Sequence, residues 1–188
     1  MIKLKTRDRI VATADELFYQ NGFEQTSFAD IAEIIGISRG NFYHHFKTKD
    51  EILTAVINRR LAKTKQLLHN WEDAAATPAD RIKCFIRILI ANKAKIILYG
   101  CPVGMLTSEL ARLEHGALPQ ANQLFTLFHT WLTEQFEQLG QQDQADQLAM
   151  HLLGRSQGIA TLANAFQDEA FIQTEVDALC LWLEPYTK

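Results

Sequence analysis

SFADIAEIIGISRGNFYHHF, residues 27–46, is the stretch whose reading decides the fold. Ser27 followed three positions later by Asp30 is an acidic variant of the capping box that opens a helix, and Gly36 ends that helix because glycine enters the left-handed region without steric cost. Ser38 caps a second, shorter helix that carries Phe42 and Tyr43. Ala32 is small enough for close helix contact, while Ile31, Ile34 or Ile35, Ile37, Phe42 and Phe46 supply a core that fixes the angle between the two helices. The rest of the second helix then faces outward: Arg39, Gly40, Asn41, Tyr43 and His44, with Ser38 at its cap. That set offers a guanidinium for guanine, an amide for adenine and a phenol for a phosphate, and Gly40 lets the backbone come close to a groove. Thr26 and Ser27 bring hydroxyls to the positive end of the first helix, where a phosphate is favoured, and Lys49 adds a charge at the opposite border. Taken alone, the same residues would also build an ordinary helical hairpin.

Outward from this unit the three- and four-residue spacing of apolar residues continues, and no stretch alternates with β-branched enrichment, so the chain is expected to be all-α. A first helix is expected over residues 6–20, with Ile10, Ala14, Leu17 and Phe18 on one face and Asn21-Gly22 as its stop. Thr48-Lys49-Asp50-Glu51 forms a capping box for a long fourth helix reaching about residue 71. Residues 72–77, EDAAAT, read as a linker before Pro78, which suits the first turn of a helix. Further helices are expected over residues 78–98, 103–113, 119–139, 144–167 and 172–184, about nine in all. The expected division is a three-helix helix-turn-helix domain over residues 1–50 and a helical regulatory domain over residues 51–188, with helix 48–71 connecting them.

A formal net charge of −3 over 188 residues argues by itself against nucleic acid, but the average hides a split. Residues 1–65 carry eleven Lys or Arg against eight Asp or Glu, whereas residues 66–188 carry eight against fourteen, so the basic end is the candidate nucleic-acid face. With 47% apolar and 22% charged residues the composition is that of a globular protein. Largely apolar stretches such as residues 85–91 are far too short to cross a bilayer, and the start MIKLKTRDR lacks the order of a secretory signal, so a cytoplasmic location without membrane association is expected. Three cysteines at wide spacing, Cys84, Cys101 and Cys180, argue against both a disulfide framework and a zinc site, and no metal or cofactor is expected.

The longer stretch FYQNGFEQTSFADIAEIIGISRGNFYHHFKTKDEIL, residues 18–53, resembles the DNA-binding domain of the TetR family of transcription regulators. The resemblance covers about residues 6–60 and is carried by Gly22-Phe23, Thr26-Ser27, Ile31-Ala32, Gly36, Tyr43, His45-Phe46 and Lys49. It implies that the third helix enters the major groove with Arg39, Gly40, Asn41, Tyr43 and His44 toward DNA, that Tyr43 and Lys49 contact phosphates, and that Phe42 and Phe46 stay in the core. It also implies a dimer on a near-palindromic operator, with reading helices about 34 Å apart.

The resemblance fades beyond about residue 61. On the helix expected over residues 144–167, Gly154, Gly158, Thr161 and Ala165 make a narrow face of small side chains that permits close helix approach. The helix expected over 172–184 offers Val176, Leu179, Cys180 and Leu183 at the same periodicity. Members of the family pair these last two helices with their copies, so a homodimer through them is expected, although both could instead pack inside one chain. Phe125, Phe128, His129, Trp131 and Leu132 cluster on one helix and could line a mostly apolar pocket for a small-molecule inducer, or could be plain core. In the segment from Tyr99, YGCPVGMLTSEL, Gly100 ends one helix and Pro102 opens the next, so Cys101 falls near a helix N-terminus, where N–H groups favour a thiolate. This Gly-Cys-Pro turn is similar to one in a TetR subgroup that includes regulators of electrophile response and others that bind an uncharged ligand. Cys101 is therefore a candidate sensor, whereas Cys84 and Cys180 read as core.

Two rival classes remain. One is a thiol-dependent enzyme using Cys101 with His115 or His129 as base, and the other is a helical interaction module without DNA binding. The sequence has no phosphate loop, zinc-protease helix or nucleophile elbow, so no catalytic residue is assigned.

Overall fold

Helix boundaries follow from local caps. Ser27 accepts from the Asp30 N–H at 3.2 Å while the Asp30 carboxylate accepts from the Ser27 N–H at 2.7 Å, and this reciprocal pair opens α2 (Phe28–Ile35). Ser38 opens α3 (Arg39–His45) by accepting from the Asn41 N–H at 3.3 Å. Thr48 and Glu51 open α4 (Lys49–Ala74): the Thr48 hydroxyl accepts from the Glu51 N–H, and the Glu51 carboxylate accepts from the Lys47 N–H. Thr77 and Pro78 open α5 (Pro78–Ala91), with the Thr77 hydroxyl accepting from the Asp80 N–H. With α1 (Thr6–Asn21), α6 (Lys93–Tyr99), α7 (Pro102–Arg112), α8 (Leu118–Gln138), α9 (Ala145–Phe166) and α10 (Glu169–Leu183), the computed structural model, which describes residues 5–187, is all helix, without a strand among the described residues.

Three boundaries differ from expectation, each for a local reason. The helix expected over residues 78–98 is two helices, with Asn92 between them at a φ of −108° and a ψ of 9°, where its backbone N–H and its side chain share the Ile88 carbonyl at 3.1 and 2.9 Å. α4 runs on to Ala74, which shortens the linker to residues 75–77; alanine is the strongest helix former, and Glu72 is held by the Trp131 indole N–H at 2.8 Å. α10 begins at Glu169 because the Asp168 carboxylate accepts from the Phe171 N–H at 3.0 Å.

Two compact units form, one of the described residues up to Lys63 with Met105–Gln123, the other of Thr64–Gly104 with residues 124–187. α4, α7 and α8 each run through both. In the first unit Ile10, Phe18, Ile31, Phe42, Phe46, Ile52 and Leu110 are buried together, each such side chain contributing about 1.5–3 kcal/mol. Its α1 and α4 are also tied by charge: the Asp15 carboxylate accepts from Arg60 Nε at 2.7 Å and lies 3.7 Å from Arg59 and 3.8 Å from Lys63.

In the second unit Phe85, Ile86, Trp131, Leu132, Phe136, Leu152 and Ala160 form the core. Val176, Leu179 and Leu183 of α10 are buried in that same core and Cys180 is half-buried against it. The α10 face read from sequence as facing a second copy is thus spent inside the chain, because an apolar stripe buries first against the nearest apolar surface. On α9, by contrast, Gly154, Gly158, Thr161 and Ala165 are all exposed.

Candidate DNA-binding site

α2 and α3 meet at Gly36, whose φ of 68° and ψ of 43° place it in the left-handed region. Its N–H and that of Ile37 return to the Glu33 and Ala32 carbonyls at 3.1 Å each, which satisfies the end of α2. Arg9 on α1 adds a cation there, donating to the Ile35 carbonyl at 2.8 Å. Phe42 and Phe46 turn inward, and of the two isoleucines left open by the sequence it is Ile35 that is buried, with Ile34 62% exposed. The hairpin angle is therefore set by side chains on one face of α3 only.

The opposite face is free. Arg39, Gly40, Asn41, Tyr43 and His44 are exposed, as are Ser27 and Ser38. Arg39 and Tyr43 of α3 line a groove of about 410 Å³ together with Phe42 and, from the α2 side, Ser27, Phe28 and Ala32. The Tyr43 ring is steadied edge-on by Phe28 at 5.4 Å, which leaves its phenol outward. Asp30 belongs to the cap rather than to the face: hydrogen bonds from the Ser27 N–H, and next from the Ser27 hydroxyl, hold its carboxyl below the ordinary aspartate value.

Thr26 and Lys49 lie deeper than the sequence suggested. Thr26 is 1% exposed and its hydroxyl donates to the Gly22 carbonyl at 2.8 Å. Lys49 spends its ammonium on the Phe23 and Glu24 carbonyls at 3.0 Å each and sits 4.4 Å from the centre of the Phe23 ring. A residue that sequence reasoning missed completes this turn: Glu109 of α7 accepts from the Phe23 and Glu24 N–H groups at 2.8 and 2.9 Å. No local signal could have found it, since it lies 86 and 85 positions away.

The regulatory candidates all sit in the second unit. Leu132 and Trp131 are buried, and the Trp131 ring lies 5.6 Å from Trp71. Phe125 and Phe128 pack half-buried on the edge of the core, Phe128 meeting Phe85 at 5.5 Å. His129 Nε2 lies 3.3 Å from an Asp146 carboxylate oxygen but is too poorly aligned for a hydrogen bond. Cys101 is half-buried against the same core, and its sulfur accepts from the Gly104 N–H at 3.5 Å, so it caps α7 as its spacing from Pro102 predicts. Burial pushes the Cys180 thiol up. Of the two histidines offered as a base, His115 accepts from the Ala117 N–H through Nδ1 and lies 3.4 Å from Asp50 through Nε2. Among the described residues no cluster of His, Cys, Asp or Glu could hold a metal ion, and no helix is long and apolar enough to cross a membrane.

A short helix fixed by two inward phenylalanines, capped by serine and presenting arginine, asparagine and tyrosine outward, defines a helix-turn-helix DNA-binding protein. The family profile described as "Bacterial regulatory proteins, tetR family" matches residues 10–56. An HTH-type transcriptional regulator from the lacX 3′ region of Lactococcus lactis is 29% identical over 93% of this chain and 91% of its own length. TtgR, an HTH-type transcriptional regulator of Pseudomonas putida, is 41% identical, over 50% of this chain and 44% of its own length. The crystal structure of a TetR transcriptional regulator from Legionella pneumophila superposes with a TM-score of 0.83 at 26% identity, covering 94% of this chain and 96% of that one. Residues 10–56 thus match the DNA-binding domain of the TetR family, and the chain as a whole has the fold of a TetR transcriptional regulator.

Proposed function

We infer that this protein is a dimeric, cytoplasmic repressor that leaves a near-palindromic operator when a small molecule or an electrophile binds its second unit. The observation that carries the reading is the α3 face, where Arg39, Asn41, Tyr43 and His44 are exposed on a helix whose other side is fixed by Phe42 and Phe46. Arg39, Gly40 and Asn41 meet base edges; Ser27, Ser38, Tyr43 and His44 meet the backbone. Thr26 holds the turn ahead of Ser27, and Lys49 both ties that turn and brings charge to the DNA border. Residues 1–50 thus do the reading and residues 51–188 the regulation and pairing.

The dimer surface is supported by α9 and one side of α10. Met150, Gly154, Gly158 and Leu162 border an open groove of about 640 Å³, with Phe171 and Glu175 of α10 across it. A partner helix would find small residues at its centre and apolar ones at its rims. For the inducer, the half-buried Phe125, Phe128 and His129 beside the core, over Trp131 and Leu132, favour an uncharged aromatic or aliphatic molecule, while Cys101 favours an electrophile.

Selection of duplexes from a random pool, followed by gel-shift titration against salt, tests the DNA reading. The wild-type protein is expected to enrich a near-palindrome and to lose affinity steeply with salt. Lys49→Ala should flatten that slope by about one unit on every sequence, and Asn41→Ala should relax preference at one base per half-site by about 1–3 kcal/mol. No salt-dependent binding to any duplex would leave the two readings without DNA binding, and sequence-blind binding would remove the operator from the proposal.

A further inference from the structure

The turn between α1 and α2 is gripped from two sides within the first unit. Phe23 and Glu24 present adjacent N–H groups, and the single carboxylate of Glu109 on α7 takes both, at 2.8 and 2.9 Å. Their carbonyls are taken by Lys49 of α4, at 3.0 Å each. Gly22 has a φ of 89°, and a β-carbon on it would come within 3.0 Å of Glu109 Oε1, so the carboxylate and the absent side chain are fitted to one another. The residues after α7 support the grip, for the His115 ring meets the Phe23 ring edge-on at 5.2 Å.

This turn leads directly to the DNA face. Thr26 is tied back to the Gly22 carbonyl at 2.8 Å, Ser27 caps α2, and Phe28 places its ring 5.0 Å from Phe42 and 5.4 Å from Tyr43 of α3. We propose that Glu109 is a positioning residue for operator reading: by holding the Phe23 and Glu24 N–H groups it fixes the start of α2, and through Phe28 and Tyr43 the reading helix, to α7. The proposal rests on the DNA-binding function argued above. One carboxylate receiving two parallel N–H bonds fixes orientation as well as distance, which a single neutral bond does not. Orientation matters unequally to the two kinds of DNA contact. Base edges must be met in register, whereas phosphate attraction tolerates a small rotation. Loss of the Glu109 grip is therefore read in discrimination between sequences, not in overall DNA attraction.

The test uses the full-length protein and two duplexes of equal length, one selected from a random pool by the wild type and one a scrambled version of it. Wild type, Glu109→Ala and Glu109→Gln are titrated on both by gel shift, with circular dichroism for the folded fraction and amide hydrogen exchange at Phe23 and Glu24. Glu109→Ala is expected to lose about tenfold in affinity for the selected duplex, and Glu109→Gln less, since its amide keeps one accepting oxygen. Affinity for the scrambled duplex and helix content should hold, while exchange at the two amides quickens. An unchanged ratio between the duplexes, or a parallel loss on both, overturns the assignment. Should Glu109→Ala not fold, the same ratio in Glu109→Gln decides. Failure of the wild type to distinguish any duplex would instead remove the DNA-binding function, and this proposal with it.

Discussion

Asp30 carries a pH dependence that can be signed. Hydrogen bonds from Ser27 lower its carboxyl in the folded chain, so between the lowered value and the ordinary aspartate value the unfolded chain holds a proton that the folded chain does not. The stabilisation is complete above the ordinary value and is lost as pH falls through the lowered one. Asp30→Asn keeps an acceptor for the Ser27 N–H but removes the titration. Thermal unfolding followed against pH should therefore show a shallower acid limb for Asp30→Asn than for the wild type, and equal slopes would mean that the cap carries no such linkage. Caps of this kind were legible in the sequence because both partners lie within one turn, as with Ser27 and Asp30 or Ser38 and Asn41. Glu109 and Phe23, Lys49 and Phe23, or Asp15 and Arg60 were not, since only the folded chain brings together groups 86, 26 and 45 positions apart. For the same reason Thr26 and Lys49 could be placed beside the DNA face but not seen to be occupied within it.

Among the helices, periodicity told which ones have an apolar face but not what that face meets. α10 illustrates the ambiguity: Val176, Leu179 and Leu183 recur at helical spacing, and all three are buried in their own unit. α9 carries two such faces. Leu152, Ala160 and Ala163 face the core, while Met150, Leu162 and Phe166 are exposed, with Gly154 and Gly158 between them, where an added β-carbon would meet nothing within 4 Å. An exposed apolar row with glycines along its centre suits a second copy better than it suits water. Leu162→Glu would put a carboxylate into that contact without touching the core. Sedimentation should then report the mass of one chain where the wild type reports two, with helix content unchanged and operator affinity lost, because one reading helix alone makes too few contacts. A Leu162→Glu protein that still sediments as a dimer would move the interface off α9.

For the molecule as a whole, release from DNA requires that an inducer prefer one of two arrangements of the chain, and the shift it causes cannot exceed that preference. α7 is a place where such a preference could act. Cys101 caps its first turn through the Gly104 N–H at 3.5 Å, and the Gln157 side chain lies close over the same turn, its Oε1 2.6 Å from where a β-carbon on Gly104 would stand. Glu109 lies about two turns further along the same helix. Addition of the Cys101 sulfur across the double bond of N-ethylmaleimide would weaken that cap and add bulk at the first turn, disturbing the start of the helix that carries the Glu109 grip. The wild-type protein bound to its selected duplex should lose at least about tenfold in affinity after treatment, a coupling within the usual range for linked sites. Cys101→Ser should bind the same duplex and keep it, with mass spectrometry showing that Cys84 and Cys180 are modified to the same extent in both proteins. Equal release by the two would leave Cys101 as the cap of a helix and nothing more, and would direct the search for the inducer to the surface beside Phe125, Phe128 and His129.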